Sequence, residues 1–225
     1  MKKIFSLLLF VILFLSAKSQ SITITQPNGG ETLYACEIYT IKFTASGTST
    51  YYNIDYSLNN GATWTSSATN LLITNGQYGW TVPYASSTTC LLRVYDKNNP
   101  SIQDVSNNVF TIKIPVILTS PNGGEVWQAG TAKTITWNME GTSQKFNLAY
   151  STNSGTTWTN IVTNYSVTNG QYVWNVPNMA TTTTCMVRVM DYVTNCKVDA
   201  SDNVFTITPA QPILTYPNGY EILDW

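Results

Sequence analysis

Few side chains of this sequence could carry catalytic chemistry, because histidine is absent. Serine and cysteine triads need an imidazole base and are therefore excluded, and the commonest zinc ligand is missing. Carboxylates remain, since a glycosidase needs only a pair of them. Asp96 and Asp191 occupy equivalent places in two similar segments, as do Asp104 and Asp199. From this small inventory we predict no catalytic residue and no enzyme activity.

Calcium binding is the second kind of chemistry that these acids could support. Asp191, Asp199 and Asp202 lie near one another in the sequence, and Ca²⁺ takes carboxylate and backbone carbonyl oxygens as ligands. The alternative is that they are solvated acids of a surface loop, and we favour it. The sequence therefore predicts neither a metal site nor a cofactor.

A repeated octapeptide offers a further candidate for chemistry. "SLNNGATW" at 57–64 and "STNSGTTW" at 151–158 resemble the Asp-box of sialidases, with Asn59 and Asn153 in place of the aspartate. In that family the box is a hairpin turn whose tryptophan packs inward, and the active site needs three arginines. Arg93 and Arg188 are the only arginines of this chain, at equivalent positions of separate segments. The octapeptides are therefore expected to be turns.

The elements that would position these groups follow from an internal repeat. "PNGGE" occurs at 27–31 and 121–125, and "PNGYE" at 217–221. Between these copies, "TIKF" matches "TITW", "CLLRVYD" matches "CMVRVMD" and "NNVFTIK" matches "DNVFTIT". Apolar residues alternate with a period of two, and turn formers separate the segments. The pattern predicts an all-β fold of two tandem Ig-like or fibronectin-like seven-stranded β-sandwiches.

Domain boundaries follow from the same alignment. We predict a signal peptide at 1–19, a first repeat at 20–114, a second repeat at 115–209 and the start of a truncated third repeat at 210–225. Within each repeat, "PNGG" is expected to reverse the chain after the first strand, because Pro fixes φ and Asn and Gly tolerate a positive φ. The alternative, a glycine nest for an anion, needs a charge partner that the sequence does not show.

The amino terminus is typical of an exported protein. "MKK" is followed by the apolar run "IFSLLLFVILFL" and by the small and polar residues "SAKSQ", which together indicate a secretory signal peptide cleaved after Ser19. A membrane anchor would need about twenty apolar residues. We expect a secreted or cell-surface protein in an oxidising compartment. The net charge of −1 offers nothing to phosphates, so nucleic acid is not an expected partner.

The repeats resemble a known family. "ITQPNGGETLYACEIYTIKF", "LTSPNGGEVWQAGTAKTITW", "GQYVWNVP" and "SDNVFTI" are similar to the Ig-like repeat of the Ser-Thr-rich glycosylphosphatidylinositol-anchored membrane family. That family is also described as the yeast cell-wall-synthesis (KRE/KNH-like) domain. The resemblance implies a β-sandwich module of secreted and surface proteins and supplies no active site. The first repeat departs from it by placing Cys36 where the second has Gly130.

The four cysteines lead to a specific prediction. Cys90 and Cys185 align at the start of the sixth strand, and Cys36 precedes the second strand, which should begin at the same end of the sandwich. A disulfide between Cys36 and Cys90 would then fit the Cα separation of roughly 4.4–6.8 Å that such bonds allow. Cys185 and the loop residue Cys196 should lie near opposite ends of a strand of roughly 20 Å. We expect Cys185 to be a buried free thiol and Cys196 an exposed thiol able to pair between chains. The alternative is a loop that folds back to join these two.

Two functions remain open. The first is a structural or adhesive surface module, in which repeated sandwiches on short linkers hold other domains away from the cell. The second is a carbohydrate-binding module that serves an enzyme elsewhere in a longer protein, which the 14 tyrosines and 7 tryptophans allow. Trp80, Trp137, Trp158 and Trp174 are expected in the core, which favours the first function. The expected partners are cell-wall or extracellular polysaccharide or surface proteins, without a transmembrane segment after cleavage.

Overall fold

The computed structural model describes residues 19–211. The predicted leader and most of the predicted third repeat lie outside the described residues. The strands of the first repeat are β1 (Ser21–Gln26), β2 (Thr32–Tyr34), β3 (Ile38–Ser46), β4 (Tyr51–Ser57), β5 (Thr65–Leu72), β6 (Gln77–Thr81), β7 (Ser87–Asp96), β8 (Gln103–Val105) and β9 (Phe110–Lys113). The strands of the second repeat are β10 (Ile117–Ser120), β11 (Val126–Gln128), β12 (Ala132–Asn138), β13 (Lys145–Ser151), β14 (Thr159–Ser166), β15 (Gln171–Asn175), β16 (Thr182–Asp191), β17 (Val198–Ala200) and β18 (Phe205–Thr208).

Each repeat forms a three-stranded and a six-stranded sheet. In the first repeat the small sheet has the order β1-β3-β6 and the large one β2-β9-β7-β4-β5, with β8 also paired to β7. The second repeat has the orders β10-β12-β15 and β11-β18-β16-β13-β14, with β17 paired to β16. The predicted fold class, two tandem Ig-like or fibronectin-like β-sandwiches, is confirmed. Each sandwich has two short strands beyond the predicted seven, because the three-residue strands β2 and β8 and their counterparts also pair.

The described chain divides into two compact units whose boundaries do not follow the repeats. The first contains residues 19–31, 40–80 and 89–110, and the second contains 32–39, 81–88 and 111–211. The second unit thus includes β2, the turn after it and the segment before β7. The segments 32–39 and 81–88 belong to the first repeat by sequence and to the second unit by packing.

Aromatic side chains fill the cores, largely as the alternation predicts. Trp80, Trp137 and Trp174 are buried, and in the second unit the ring of Trp127 lies 5.1 Å from that of Phe205. The prediction for Trp158 is wrong. This residue is only half-buried, because its ring stacks beneath a guanidinium rather than against the core.

The "PNGGE" phrase is a crossing between sheets rather than a reversal within one. It joins β1 of the small sheet to β2 of the large one, and Gly29 and Gly30 have the positive φ values of 125° and 85°. The carboxylate of Glu31 accepts hydrogen bonds from the N–H groups of Asn28, at 2.8 Å, and Gly29, at 2.7 Å. The phrase therefore contains a small nest of N–H groups whose anion is its own glutamate.

The second copy has the same geometry. Glu125 accepts from the N–H groups of Asn122 and Gly123 at 2.7 and 2.8 Å. Because the glutamate holds the turn in both copies, it recurs in the phrase together with the turn residues.

Candidate functional site

Asp96, one of the aspartates that the sequence offers for chemistry, binds backbone N–H groups. Asp96 is buried and accepts hydrogen bonds from the N–H groups of Ser49 at 2.6 Å, Asn98 at 2.7 Å and Asn99 at 3.0 Å. Burial alone would raise the pKa of Asp96, but these N–H groups together outweigh it and lower the pKa. The carboxylate therefore anchors two loops.

The aspartates of the calcium hypothesis hold loops in the same way. Asp191 is buried and accepts from the N–H groups of Ser143, Val193 and Thr194. Asp199 accepts from the N–H of Leu118, and Asp202 from the side-chain amide of Asn122. Within residues 19–211 these three carboxylates do not form a cluster that could hold a metal ion. The expectation of solvated acids is wrong for Asp191.

Asp104 repeats the role of Asp199 in the first repeat. Its carboxylate accepts from the N–H of Ile24 at 2.7 Å, next to the irregularity where the register of β1 shifts between Ile24 and Gln26. Because β1 is the edge strand of the small sheet, this N–H can take a side-chain acceptor in place of a further strand.

The octapeptides are turns stabilised by their own side chains. Asn59 Oδ1 accepts from the N–H of Thr63 at 2.9 Å, and Ser57 Oγ accepts from the N–H of Gly61 at 2.9 Å. Asn153 and Ser151 make the same bonds in the second copy. An amide oxygen thus accepts the bond that an Asp-box carboxylate would take.

The two arginines cover the two octapeptide tryptophans. Arg93 lies 4.6 Å from the ring centroid of Trp64, and Arg188 lies 4.6 Å from that of Trp158. Arg93 also contacts the buried Asp55 at 2.5 Å, which the sequence did not single out. The stacks occur once per repeat, which is typical of a structural element.

The cysteines depart from the predicted pairing. Cys36 forms a disulfide with Cys196, at a Cα separation of 6.0 Å and a sequence separation of 160 residues. The predicted Cys36–Cys90 bond is wrong, because Cys90 lies inside β7 with its side chain fully buried, whereas Cys36 occupies a half-exposed turn. The prediction of Cys196 as an exposed thiol is also wrong, because the residue is exposed but disulfide-bonded.

Cys185 is a buried thiol, as predicted. Burial raises its pKa, and a hydrogen bond from the backbone of Ile207 opposes that shift. A thiol of raised pKa inside a core reacts slowly with oxidants and electrophiles.

Polar contacts surround the disulfide within the second unit. The ammonium of Lys197 is almost buried and donates to a carboxylate oxygen of Glu37 at 2.8 Å and to the carbonyl of Gly141 at 2.5 Å. The hydroxyl of Tyr84 donates to the carbonyl of Val198. Burial raises the pKa of Tyr84, and the charge of Asp199 adds to the shift. We call Cys36, Glu37, Tyr84, Cys196 and Lys197 the clamp.

The clamp was not predicted, although the sequence contains a signal for it. Cys196 and Lys197 stand where the first repeat has Ser101 and Ile102, in a loop that keeps the same backbone hydrogen bond in both repeats. Substitutions confined to one copy of a repeat are the signal for a contact that only that copy makes.

Comparison with known proteins adds fold-level likeness only. No family model and no curated protein matches the chain. Fibronectin(III)-like modules of Clostridium thermocellum CbhA are 16% identical, cover 89% of this chain and 100% of their own, and have a TM-score of 0.28. The FN1-FN3 domains of chicken CNTN1 are 16% identical over 85% of this chain and 66% of theirs, with a TM-score of 0.30. The tandem Ig repeats of Dlar are 10% identical over 84% of this chain and 99% of theirs, with a TM-score of 0.25.

These proteins assign neither ligand nor activity to the chain. The resemblance to the cell-wall-synthesis repeat stays a prediction. Among residues 19–211, no helix has the length and apolar character needed to cross a bilayer.

Proposed function

We propose that this chain is a non-catalytic, secreted or cell-surface β-sandwich array that spaces or presents other domains. The observation that carries the proposal is the Cys36–Cys196 disulfide, which joins residues 160 apart in the sequence. A tensile force applied to the chain on either side of this bond cannot extend the polypeptide between the two cysteines until the bond breaks. A module that holds other domains at a distance gains from this property.

The polar groups that could do chemistry support the same proposal. The loop aspartates bind backbone N–H groups, the octapeptide asparagines hold turns, and the arginines stack on tryptophan rings. Each of these contacts stabilises loops at the ends of strands. A protein under load depends on such contacts, because loops open before cores do.

The disulfide also supports an extracellular location. Disulfides persist in oxidising compartments and are rare in the cytosol. Tagged full-length chain should be recovered in the medium or on protease-accessible cell surface, with Cys36 and Cys196 resistant to alkylation before reduction. Recovery in the cytosol with both residues alkylated would contradict the proposed location.

Carbohydrate binding through a flat aromatic row has less support. The most exposed tyrosines within residues 19–211 are Tyr51, Tyr84 and Tyr192, which lie on separate segments, and Tyr84 already donates to a backbone carbonyl.

A further inference from the structure

The first compact unit contains an open cavity of about 460 Å³ at one end of its sandwich, within the size range of small-molecule sites. All the residues that line it belong to residues 40–80. Phe43, Ala45, Thr48 and Tyr52 are among them. We propose that this cavity binds one residue of a neutral glycan.

Two aromatic rings form the inner wall of the cavity. Phe43 and Tyr52 are buried and pack edge to face, with ring centroids 4.9 Å apart. The hydroxyl of Tyr52 shares a hydrogen bond of 2.8 Å with Thr48 Oγ1. Ring edges and the Ala45 methyl offer apolar contact to the C–H groups of a sugar, and the paired hydroxyls offer it further hydrogen bonds.

The walls are held in place before any ligand arrives. Gln20 Nε2 donates to the carbonyl of Gly47 at 2.8 Å, and Asp96 accepts the N–H of Ser49 at 2.6 Å. The N–H of Phe43 donates to the carbonyl of Gly76 at 2.9 Å, which joins the opposite wall to β3. A fixed pocket loses less conformational entropy on binding than a mobile loop does.

The chemistry of the lining selects for a neutral, hydroxylated ligand. Four threonines, a serine and an asparagine line the cavity, whereas carboxylate, ammonium and guanidinium groups are absent from its lining within residues 19–211. The carboxylate of Asp96 lies behind the wall, where it already accepts hydrogen bonds from three backbone N–H groups. A charged ligand would be desolvated there without a counter-charge. Sugars match this mixture of hydroxyl, amide and small apolar groups.

At the equivalent place in the second repeat, larger side chains occupy part of the space. Trp137 stands at the position of Phe43, and Met139 at that of Ala45. Met139 packs against the core and lies beside Gly170, the counterpart of Gly76. Phe146 replaces Tyr52 and removes the hydroxyl. The second repeat has at this end a smaller depression of about 300 Å³ whose lining contains no aromatic residue among those described.

This site does not depend on the spacing function. A spacer can be built from the same sandwiches without a ligand, and a sugar site can exist on a module that bears no load. Binding to the cavity and resistance to extension are therefore measured separately.

The test is an NMR titration of the full-length, ¹⁵N-labelled chain with neutral tetrasaccharides of glucose, mannose, xylose and galactose. We expect at least one of them to cause saturable shifts at the amides of Gly47, Thr48, Asn75 and Gly76. The equivalent amides of the second repeat should not move, which provides an internal control.

Ala45→Met tests the location of the site, because it places in the first repeat the side chain that fills the second. We expect it to weaken binding at least roughly tenfold, while dispersed amide signals show that the fold is retained. Ala62→Met, in the exposed turn of the octapeptide, is the matched control and should bind as the unmodified chain does.

Three results would overturn the proposal. The first is the absence of saturable shifts with all four tetrasaccharides. The second is equal binding by the Ala45→Met variant and the unmodified chain. The third is tighter binding of a uronic-acid oligosaccharide than of its neutral parent, which would contradict the uncharged lining.

Discussion

The ammonium nitrogen of Lys197 lies 2.8 Å from a carboxylate oxygen of Glu37, one residue along each segment from the disulfide that joins Cys36 to Cys196. A covalent bond and an ion pair thus connect the same two turns. The ion pair is asymmetric, because the side chain of Lys197 is 7% exposed and that of Glu37 is 44% exposed.

This asymmetry predicts unequal effects of removing each partner. Glu37→Gln leaves the nearly buried ammonium without its carboxylate and should lower the free energy of unfolding by about 1–2 kcal/mol, less than for a fully buried pair because Glu37 is half-exposed. Lys197→Met removes the buried charge itself and should cost less. Urea unfolding at neutral pH measures both.

The exposed pair of Lys113 and Glu140 is the matched control for these variants. Its two side chains are 47% and 60% exposed, although the hydrogen bond to Glu140 raises the pKa of Lys113. Glu140→Gln should leave the urea midpoint unchanged. A loss equal to that of Glu37→Gln would contradict the role assigned to burial.

Asp96 should contribute to stability in a pH-dependent way. Its pKa in the folded protein is lowered, so its contribution is present above the ordinary value of about 4 and is lost as the pH falls through the folded value. Asp96→Asn cannot titrate, so the difference in stability between the unmodified chain and this variant should shrink below about pH 4. Chemical unfolding at pH 7 and in acid measures the difference. An equal difference at both pH values would show that the carboxylate charge is not involved.

The glutamate of the repeated phrase should stabilise its crossing. Glu31→Ala removes the acceptor of two N–H groups and should lower the free energy of unfolding by about 1–2 kcal/mol. Glu125→Ala, which removes the equivalent acceptor, should do the same. Thermal unfolding of the two variants tests the shared role, and an effect confined to one of them would contradict it.

Thiol mapping should separate the observed pairing from the one that the sequence suggested. Both schemes leave two thiols in the monomer, so a thiol count alone does not distinguish them. Proteolysis of protein that was alkylated in denaturant without reduction should release a peptide pair that contains Cys36 and Cys196, with alkyl groups on Cys90 and Cys185. A linked pair that contains Cys36 and Cys90 would restore the first prediction.

The sequence was sufficient for the fold because local patterns encode it. Alternation with a period of two, recurrent turn formers and the repeat itself predicted tandem sandwiches, and they placed Trp80, Trp137 and Trp174 in the core. The fold depends on contacts within each repeat, and an alignment of one repeat with the other shows which residues recur in those contacts.

The clamp could not be derived in the same way. The disulfide joins residues 160 apart, and an alignment of repeats gives no distance between non-equivalent positions. Cys90 points into the core, whereas Cys36 lies in a half-exposed turn, so a position near the start of a strand does not make the two residues partners. The prediction for Trp158 was wrong for a related reason, because the guanidinium of Arg188 covers the tryptophan ring in place of the core.

The most direct test of the proposed spacing function is the extension of single molecules held by tags before residue 20 and after residue 211. Under oxidising conditions the 160-residue separation between the cysteines should remain unextended, and a dithiol reductant should add roughly 53–58 nm of contour length. Cys36→Ser should give the reduced pattern without reductant. Full extension of the oxidised, unmodified chain would contradict the account, because the disulfide would then not bear the load.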